Sequence, residues 1–452
     1  MNILIATTPI PGHLSPLLGL ARILVKQGHE VLVQTGNTFK STVEAAGVPF
    51  MLLLPEADVE PAAFFAKHPE IHEKNPFEWF EFGTENYFLP RLSAQAAGLE
   101  MALNDLPADV ILTESMFYGT LPLLLGRRQD RPTIVHTGIT VLDLFSGKTV
   151  PPIPGASEEE LEKVRGERER LILSPLQAAF DKALAELGCA PPPCPVLEYM
   201  STLPDLYLHP SIQSLQYPGH SSSSSKVRYI GNIPPTPGQY PLPDWWQKLD
   251  KSKRLVLVTQ GTVANWNLGQ LIGPTLQGLS EERDLLVIVT TGGKPAEDIP
   301  VDIPANARVA PFLPYEEVLP KIDLLITNGG YGSVNMALAH GVPIVSAGLT
   351  EDKEEVSANL QWSGGGIDLR IKELSPEAVR TAARKILDSS VYRDRAKELA
   401  QEYASHNTEA EFLALLQASV EQHEKARREN SLPHGSGREA QDRLPSRVDS
   451  ER

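Results

Sequence analysis

The residues with the clearest chemical promise form the run Thr327-Asn328-Gly329-Gly330-Tyr331-Gly332-Ser333-Val334-Asn335. Before it, Ile322-Asp323-Leu324-Leu325-Ile326-Thr327 reads as a short buried strand. After it, a helix reads from Val334 to Ala339. A glycine-rich turn between a parallel strand and a helix leaves backbone N–H groups bare. Together with the positive end of the helix dipole they make an anion site. The glycines let backbone approach a phosphate closely, and Ser333 adds a hydroxyl donor. The ligand this chemistry selects is the diphosphate of a nucleotide.

His13 is the second candidate. It follows the apolar run Asn2-Ile3-Leu4-Ile5-Ala6, in a loop outside the carboxyl end of the first strand. Doubly wound folds place active sites there. A neutral imidazole can take a proton from a hydroxyl as that hydroxyl attacks. Taken alone, such a loop histidine is more often structural. The loop Thr8-Pro9-Ile10-Pro11-Gly12-His13 lacks a G-x-G-x-x-G fingerprint, which argues against a nicotinamide dehydrogenase.

Regular elements must position these residues. In the first half, strands are expected over 3–6, 30–34, 50–54, 110–113 and 133–136, with helices over 17–27 and 38–46. In the second half, strands are expected over 255–259, 285–290, 307–309, 324–327 and 344–346. Strands alternating with helices imply parallel sheets covered on both faces. Between 55 and 90 the pattern breaks and aromatic residues crowd together. Long insertions of this kind tend to be functional. This one reads either as a satellite core or as an apolar wall for an aromatic acceptor; the candidate acceptor residues are Phe77, Trp79, Phe80 and Phe82 within it and Phe117 beyond it.

The Ser-rich patch at 221–225 and the Pro-rich stretch at 234–238 suggest an interdomain linker. The expected division is an N-terminal domain over 1–225, a linker over 226–250 and a C-terminal domain over 251–400. A helical segment follows over 401–425, with a disordered tail over 426–452.

Composition limits the options. The net charge of −16 argues against nucleic acid as a partner, because phosphate contacts need a basic surface. No apolar run approaches a membrane span, and the N-terminus has no signal-peptide pattern. A cytoplasmic protein without stable membrane insertion is expected. Cys189 and Cys194 read as free, inert thiols.

The donor run, continued by Gly341-Val342-Pro343-Ile344-Val345 and Asp352-Lys353, resembles the donor-site signature of family 1 glycosyltransferases. The resemblance extends to Pro11-Gly12-His13, Gln260-Gly261-Thr262, Val309-Ala310-Pro311-Phe312-Leu313-Pro314 and Trp362-Ser363-Gly364-Gly365-Gly366. It implies an α/β fold of GT-B type: two Rossmann-like domains whose parallel sheets face an interdomain cleft. It also implies that the last helix braces the first domain.

The implied activity is an inverting, metal-independent transfer of a sugar, glucose from UDP-glucose, to a hydroxyl of a small lipophilic acceptor such as a phenolic or polyketide. The nucleotide sugar would be a co-substrate, and no cofactor or metal is expected. His13 would be the base and Glu114 its carboxylate partner, where the family commonly has aspartate. The donor would be held by Gly12, Gly261, Thr262, Asn328, Gly329, Gly330, Gly332 and Ser333. Phe312 and Leu313 would flank its base, and Asp352 and Lys353 would read its sugar.

Three further residues depart from the family pattern. Asn328 replaces a histidine, Met336 replaces a ribose-binding glutamate, and Lys353 replaces a glutamine. Glu354 and Glu355 read as solvated. The alternative from another functional class is a non-catalytic binding or activator protein.

Overall fold

The computed structural model describes residues 1–142, 157–217, 224–235, 240–370 and 373–431; the side chains of residues 72, 73, 76, 77, 430 and 431 fall outside that set. Part of the Ser-rich patch and part of the Pro-rich stretch therefore lie outside the described residues, as do the Phe77 side chain and residues 432–452.

Apolar, β-branched runs build two sheets. The first contains β1 (Asn2–Ala6), β2 (Glu30–Thr35), β3 (Phe50–Leu52), β4 (Val110–Glu114), β5 (Thr133–Thr137), β6 (Leu206–His209) and β7 (Val227–Tyr229). The second contains β8 (Arg254–Thr259), β9 (Leu285–Thr290), β10 (Ala307–Ala310), β11 (Leu324–Thr327), β12 (Ile344–Ser346) and β13 (Gly366–Asp368). Their orders are β3-β2-β1-β4-β5-β6-β7 and β10-β9-β8-β11-β12-β13. The ladders are parallel, and β4, β5, β9 and β11 are buried at every position. Such strands need helices on both faces, which is why they read as continuous apolar runs.

In each sheet the strand order reverses beside the first strand. β1 lies between β2 and β4, and β8 lies between β9 and β11. Loops leaving neighbouring strands at that point diverge to opposite faces and open a crevice. His13 lies in the first turn of the helix after β1 and Glu114 ends β4, while the loops after β8 and β11 carry Gly261 and Asn328.

Several boundaries differ from expectation. The first helix is Pro11–Lys26, so His13 belongs to its first turn rather than to a preceding loop. Pro11 fits the first helical position, where its missing N–H costs nothing. Gly12 and Pro16, both poor helix formers, hide this turn in the sequence. The donor helix likewise begins early, at Tyr331, and runs to Ala339. β6, β7 and β13 are additional strands. β7 extends the first sheet beyond 225, into the stretch expected to be linker.

The final helix, Thr408–Ser431, continues past the expected start of the tail at 426. Its Phe412, Leu416 and Val420 pack among Ile3, Leu17 and Ile230 of the first domain. Thr408 Oγ1 donates to the Ile230 carbonyl at 2.6 Å. The helix thus braces the first domain. Among the described residues no helix is long and apolar enough to cross a membrane.

Candidate active site

The two crevices share one cavity of about 490 Å³, lined from both domains. His13 faces it from the first helical turn, and its Nδ1 lies 3.0 Å from Glu114 Oε1. The approach is off the axis of the ring N–H, so the hydrogen bond between the two side chains is bent. Thr8 Oγ1 donates to the same Glu114 oxygen at 2.7 Å, and the Met116 N–H donates to the other at 2.5 Å.

Burial alone would push the Glu114 carboxyl up. The His13 charge and the hydrogen bonds from His13, Thr8 and Met116 outweigh it and hold the group below its usual range. A carboxylate fixed in this way favours the imidazole tautomer with its proton on Nδ1.

On the opposite wall, Gly330 caps the helix Tyr331–Ala339 without any side-chain hydrogen bond. The first-turn N–H groups of such a helix have no partner within it, which is the geometry that favours an anion. Asn328, Gly330, Gly332 and Ser333 line the cavity, together with Gly12, Gly261 and Thr262. Gly329 lies behind this wall and shapes it. Its φ of +85° is left-handed, and a Cβ there would meet Ser346 Oγ at 2.6 Å. Asn328 Nδ2 donates to the Gln260 carbonyl at 2.6 Å, so this amide joins the two phosphate-side loops.

Asp352 and Lys353 also line the cavity, at the start of the helix Lys353–Ser363. Thr140, from the loop after β5, donates to Asp352 Oδ2 across the cleft. Burial pushes the Asp352 carboxyl up, against the Thr140 hydrogen bond and the His13 charge. Lys353 pairs with Glu351. Burial pushes its ammonium down to about 7, and a carboxylate in contact works against that shift.

Some candidate residues lie away from the lining of this cavity. Phe312 and Leu313 lie outside the cavity, and the Phe312 ring stacks on Tyr240 at 4.5 Å. Of the aromatic candidates, Trp79 and Phe80 line the cavity. Phe82 packs instead against Phe64 and His68, because its helix turns that position away. Phe117 is fully buried in the first domain's core beside Leu4 and Ile111. Its neighbour Met116 reaches the cavity in its place, with Phe65, Tyr87 and Phe88. Phe88 stacks on His13 with ring centroids 5.8 Å apart.

Other contributors are invisible to local sequence reading. Tyr331 opens the donor helix, and its hydroxyl lies 3.1 Å from His209 Nε2 of β6. Glu355 is buried rather than solvated and pairs with Arg168 at 2.8 Å. Among the described residues, no group of three or more His, Cys, Asp or Glu side chains is placed to hold a metal ion.

Two Rossmann-like domains with parallel sheets and a cavity lined from both are the architecture of a GT-B glycosyltransferase. Residues 276–418 match the model of the erythromycin biosynthesis protein CIII-like C-terminal domain. UDP-glycosyltransferase 2 of Phaeomoniella chlamydospora is 35% identical over 421 residues, covering 89% of this chain and 92% of the relative. The 4'-demethylrebeccamycin synthase of Lentzea aerocolonigenes is 34% identical, covering 93% of this chain and 99% of the relative. A solved calicheamicin glycosyltransferase shares the fold with a TM-score of 0.67 and 22% identity, over 93% of this chain and 99% of that one. The chain belongs to the UDP-glycosyltransferase family.

Proposed function

We propose that this enzyme transfers glucose from UDP-glucose to a hydroxyl of a small lipophilic acceptor, phenolic or polyketide, with inversion and without a metal. His13 is the base, and Glu114 positions and stabilises it. The observation that carries the proposal is the His13–Glu114 contact of 3.0 Å on one wall of a cavity whose other wall is a helix N-terminus.

The acceptor oxygen attacks the anomeric carbon as the bond from that carbon to the diphosphate oxygen breaks. The bonding pair leaves with the diphosphate. The acceptor proton passes to His13 Nε2. One displacement from the face opposite the leaving group inverts the anomeric centre. Backbone N–H groups at Gly330–Ser333 would stabilise the leaving charge. Asp352 would read sugar hydroxyls. The aromatic wall of Phe65, Trp79, Phe80 and Phe88 suits an apolar, ring-containing acceptor.

His13→Ala tests this reading. Removing a general base costs about 10²–10⁴-fold in rate. The variant should lose transfer while still binding UDP in calorimetry. Retention of more than about a tenth of the wild-type rate would rule out His13 as base. The anomeric configuration of the product, read by NMR, tests inversion. Activity that is lost to chelator and restored by magnesium or manganese would exclude the metal-free step.

A further inference from the structure

A nucleoside diphosphate leaves with several negative charges. Helix dipoles and backbone N–H groups meet part of that charge, and a nearby cation meets more of it. Asn328 stands on the phosphate turn and carries no charge. Of the described residues lining the cavity, Lys353 is the only lysine or arginine.

The placement of Lys353 is specific. It is only 6% exposed, although it opens a helix. A Cβ on Gly348 would lie 1.7 Å from the Asn328 carbonyl oxygen and 2.8 Å from Lys353 Cδ. The lysine stem therefore runs beside the Asn328 backbone, through space that Gly348 leaves open. A Cβ on Gly329 would lie 3.5 Å from the Lys353 carbonyl oxygen, so the start of this helix packs on the phosphate turn. The neighbouring carboxylates are Glu351, paired with the ammonium, and Asp352, bonded to Thr140.

We propose that Lys353 is the cation for the donor's diphosphate, held ready by Glu351 and exchanged onto the phosphates when the donor enters. This rests on the donor reading given above. Charge absent from the β11 loop is supplied from the neighbouring helix, and the site's discrimination turns from sugar hydroxyls toward the phosphates. The ammonium also neutralises the oxygen that receives the bonding pair during transfer.

Calorimetric titration of UDP, UDP-glucose and uridine into wild-type protein and Lys353→Gln tests this. Losing a charged hydrogen bond costs on the order of 10- to 150-fold in affinity. UDP and UDP-glucose should both weaken by such a factor, while uridine, which has no phosphate, is unchanged. The double variant Glu351→Gln/Lys353→Gln leaves no unpaired buried charge and should show the same loss. UDP binding to both variants as tightly as to wild type would overturn the inference alone. Weakening confined to UDP-glucose would also overturn it, because the lysine would then read the sugar. Wild-type protein that takes up no nucleoside diphosphate would overturn the donor reading and this inference with it.

Discussion

Arg168 and Glu355 meet at 2.8 Å across the two halves of the chain, with both side chains almost wholly buried. The Tyr217 hydroxyl donates to the other Glu355 oxygen at 2.8 Å. Glu355 lies in the first turn of the helix Lys353–Ser363, so the pair holds Asp352 and Lys353 against the first domain. Breaking a buried pair costs about 3–5 kcal/mol, because one charge remains buried without its partner. Arg168→Met should lower the melting temperature sharply, and Arg168→Met/Glu355→Met should recover much of the loss. Equal melting of the single variant and wild type would show that the pair carries no net constraint.

Glu114→Gln keeps the size of the side chain but removes its charge. The amide still accepts from Thr8 or the Met116 N–H and no longer stabilises a protonated His13. The expected loss in kcat is about 10²–10⁴-fold, with donor KM little changed. Steady-state kinetics at saturating donor decides this. A large rise in donor KM with kcat preserved would place Glu114 in donor binding instead.

The parallel sheets and the glycine-rich turn were legible because each rests on local pattern, whereas the His13–Glu114 pairing at 3.0 Å was expected only from the family resemblance. Apolar runs mark β4 and β11, and glycines mark the turn. What stayed hidden was long-range. Thr140 meets Asp352 across 212 positions and His209 meets Tyr331 across 122, and neither residue type announces a partner. Glu355 lies in a charged run that looks solvated until the first domain covers it. Phe117 and Met116 are adjacent, so a single step along the chain decides which one faces the acceptor. β7 and β13 are three residues each, too short for periodicity to register.

That adjacency gives a direct comparison on the acceptor side. Phe88 lines the cavity and stacks on His13, whereas Phe117 belongs to the core. An aromatic contact contributes about 0.5–1.5 kcal/mol, which is roughly 2- to 12-fold in affinity. Phe88→Leu should raise the acceptor KM by such a factor. Phe117→Leu should lower the melting temperature and leave the acceptor KM unchanged. The opposite pattern would move the acceptor wall.

Asp205 anchors β5 and the basic groups around it. Its Oδ2 lies 2.6 Å from Arg131 Nη1, and its Oδ1 lies 2.9 Å from Arg128 Nε. Burial pushes its carboxyl up. The Arg131 hydrogen bond and charge, the Ile134 N–H and the Arg128 charge outweigh that and hold it below the usual range. A depressed carboxyl stabilises the fold above the unfolded pKa of about 4. That contribution is lost as pH falls through the folded value. Asp205→Asn should therefore be about 3–5 kcal/mol less stable at neutral pH, with the gap closing in acid. Urea unfolding from neutral pH down through about pH 4 and into stronger acid follows the narrowing. A gap that does not narrow at all below about pH 4 would mean that the carboxylate charge is not its source.

Met336 lines the cavity five residues into the donor helix, at the position where the family resemblance implies a glutamate for the ribose hydroxyls. A thioether cannot accept those bonds with comparable strength. If the ribose lacks its partner, Met336→Glu should tighten UDP binding by about 10- to 150-fold, the value of a charge-assisted hydrogen bond. The gain should vanish for a uridine diphosphate without ribose hydroxyls, because the new carboxylate would then face no donor. Two features oppose the gain: a carboxylate adds charge beside a diphosphate, and the cavity shields it from water. Calorimetry with both nucleotides separates these effects. Tighter binding of UDP alone would establish the missing contact at this position. Weaker binding of both would show that the ribose is already held elsewhere and that the methionine serves packing.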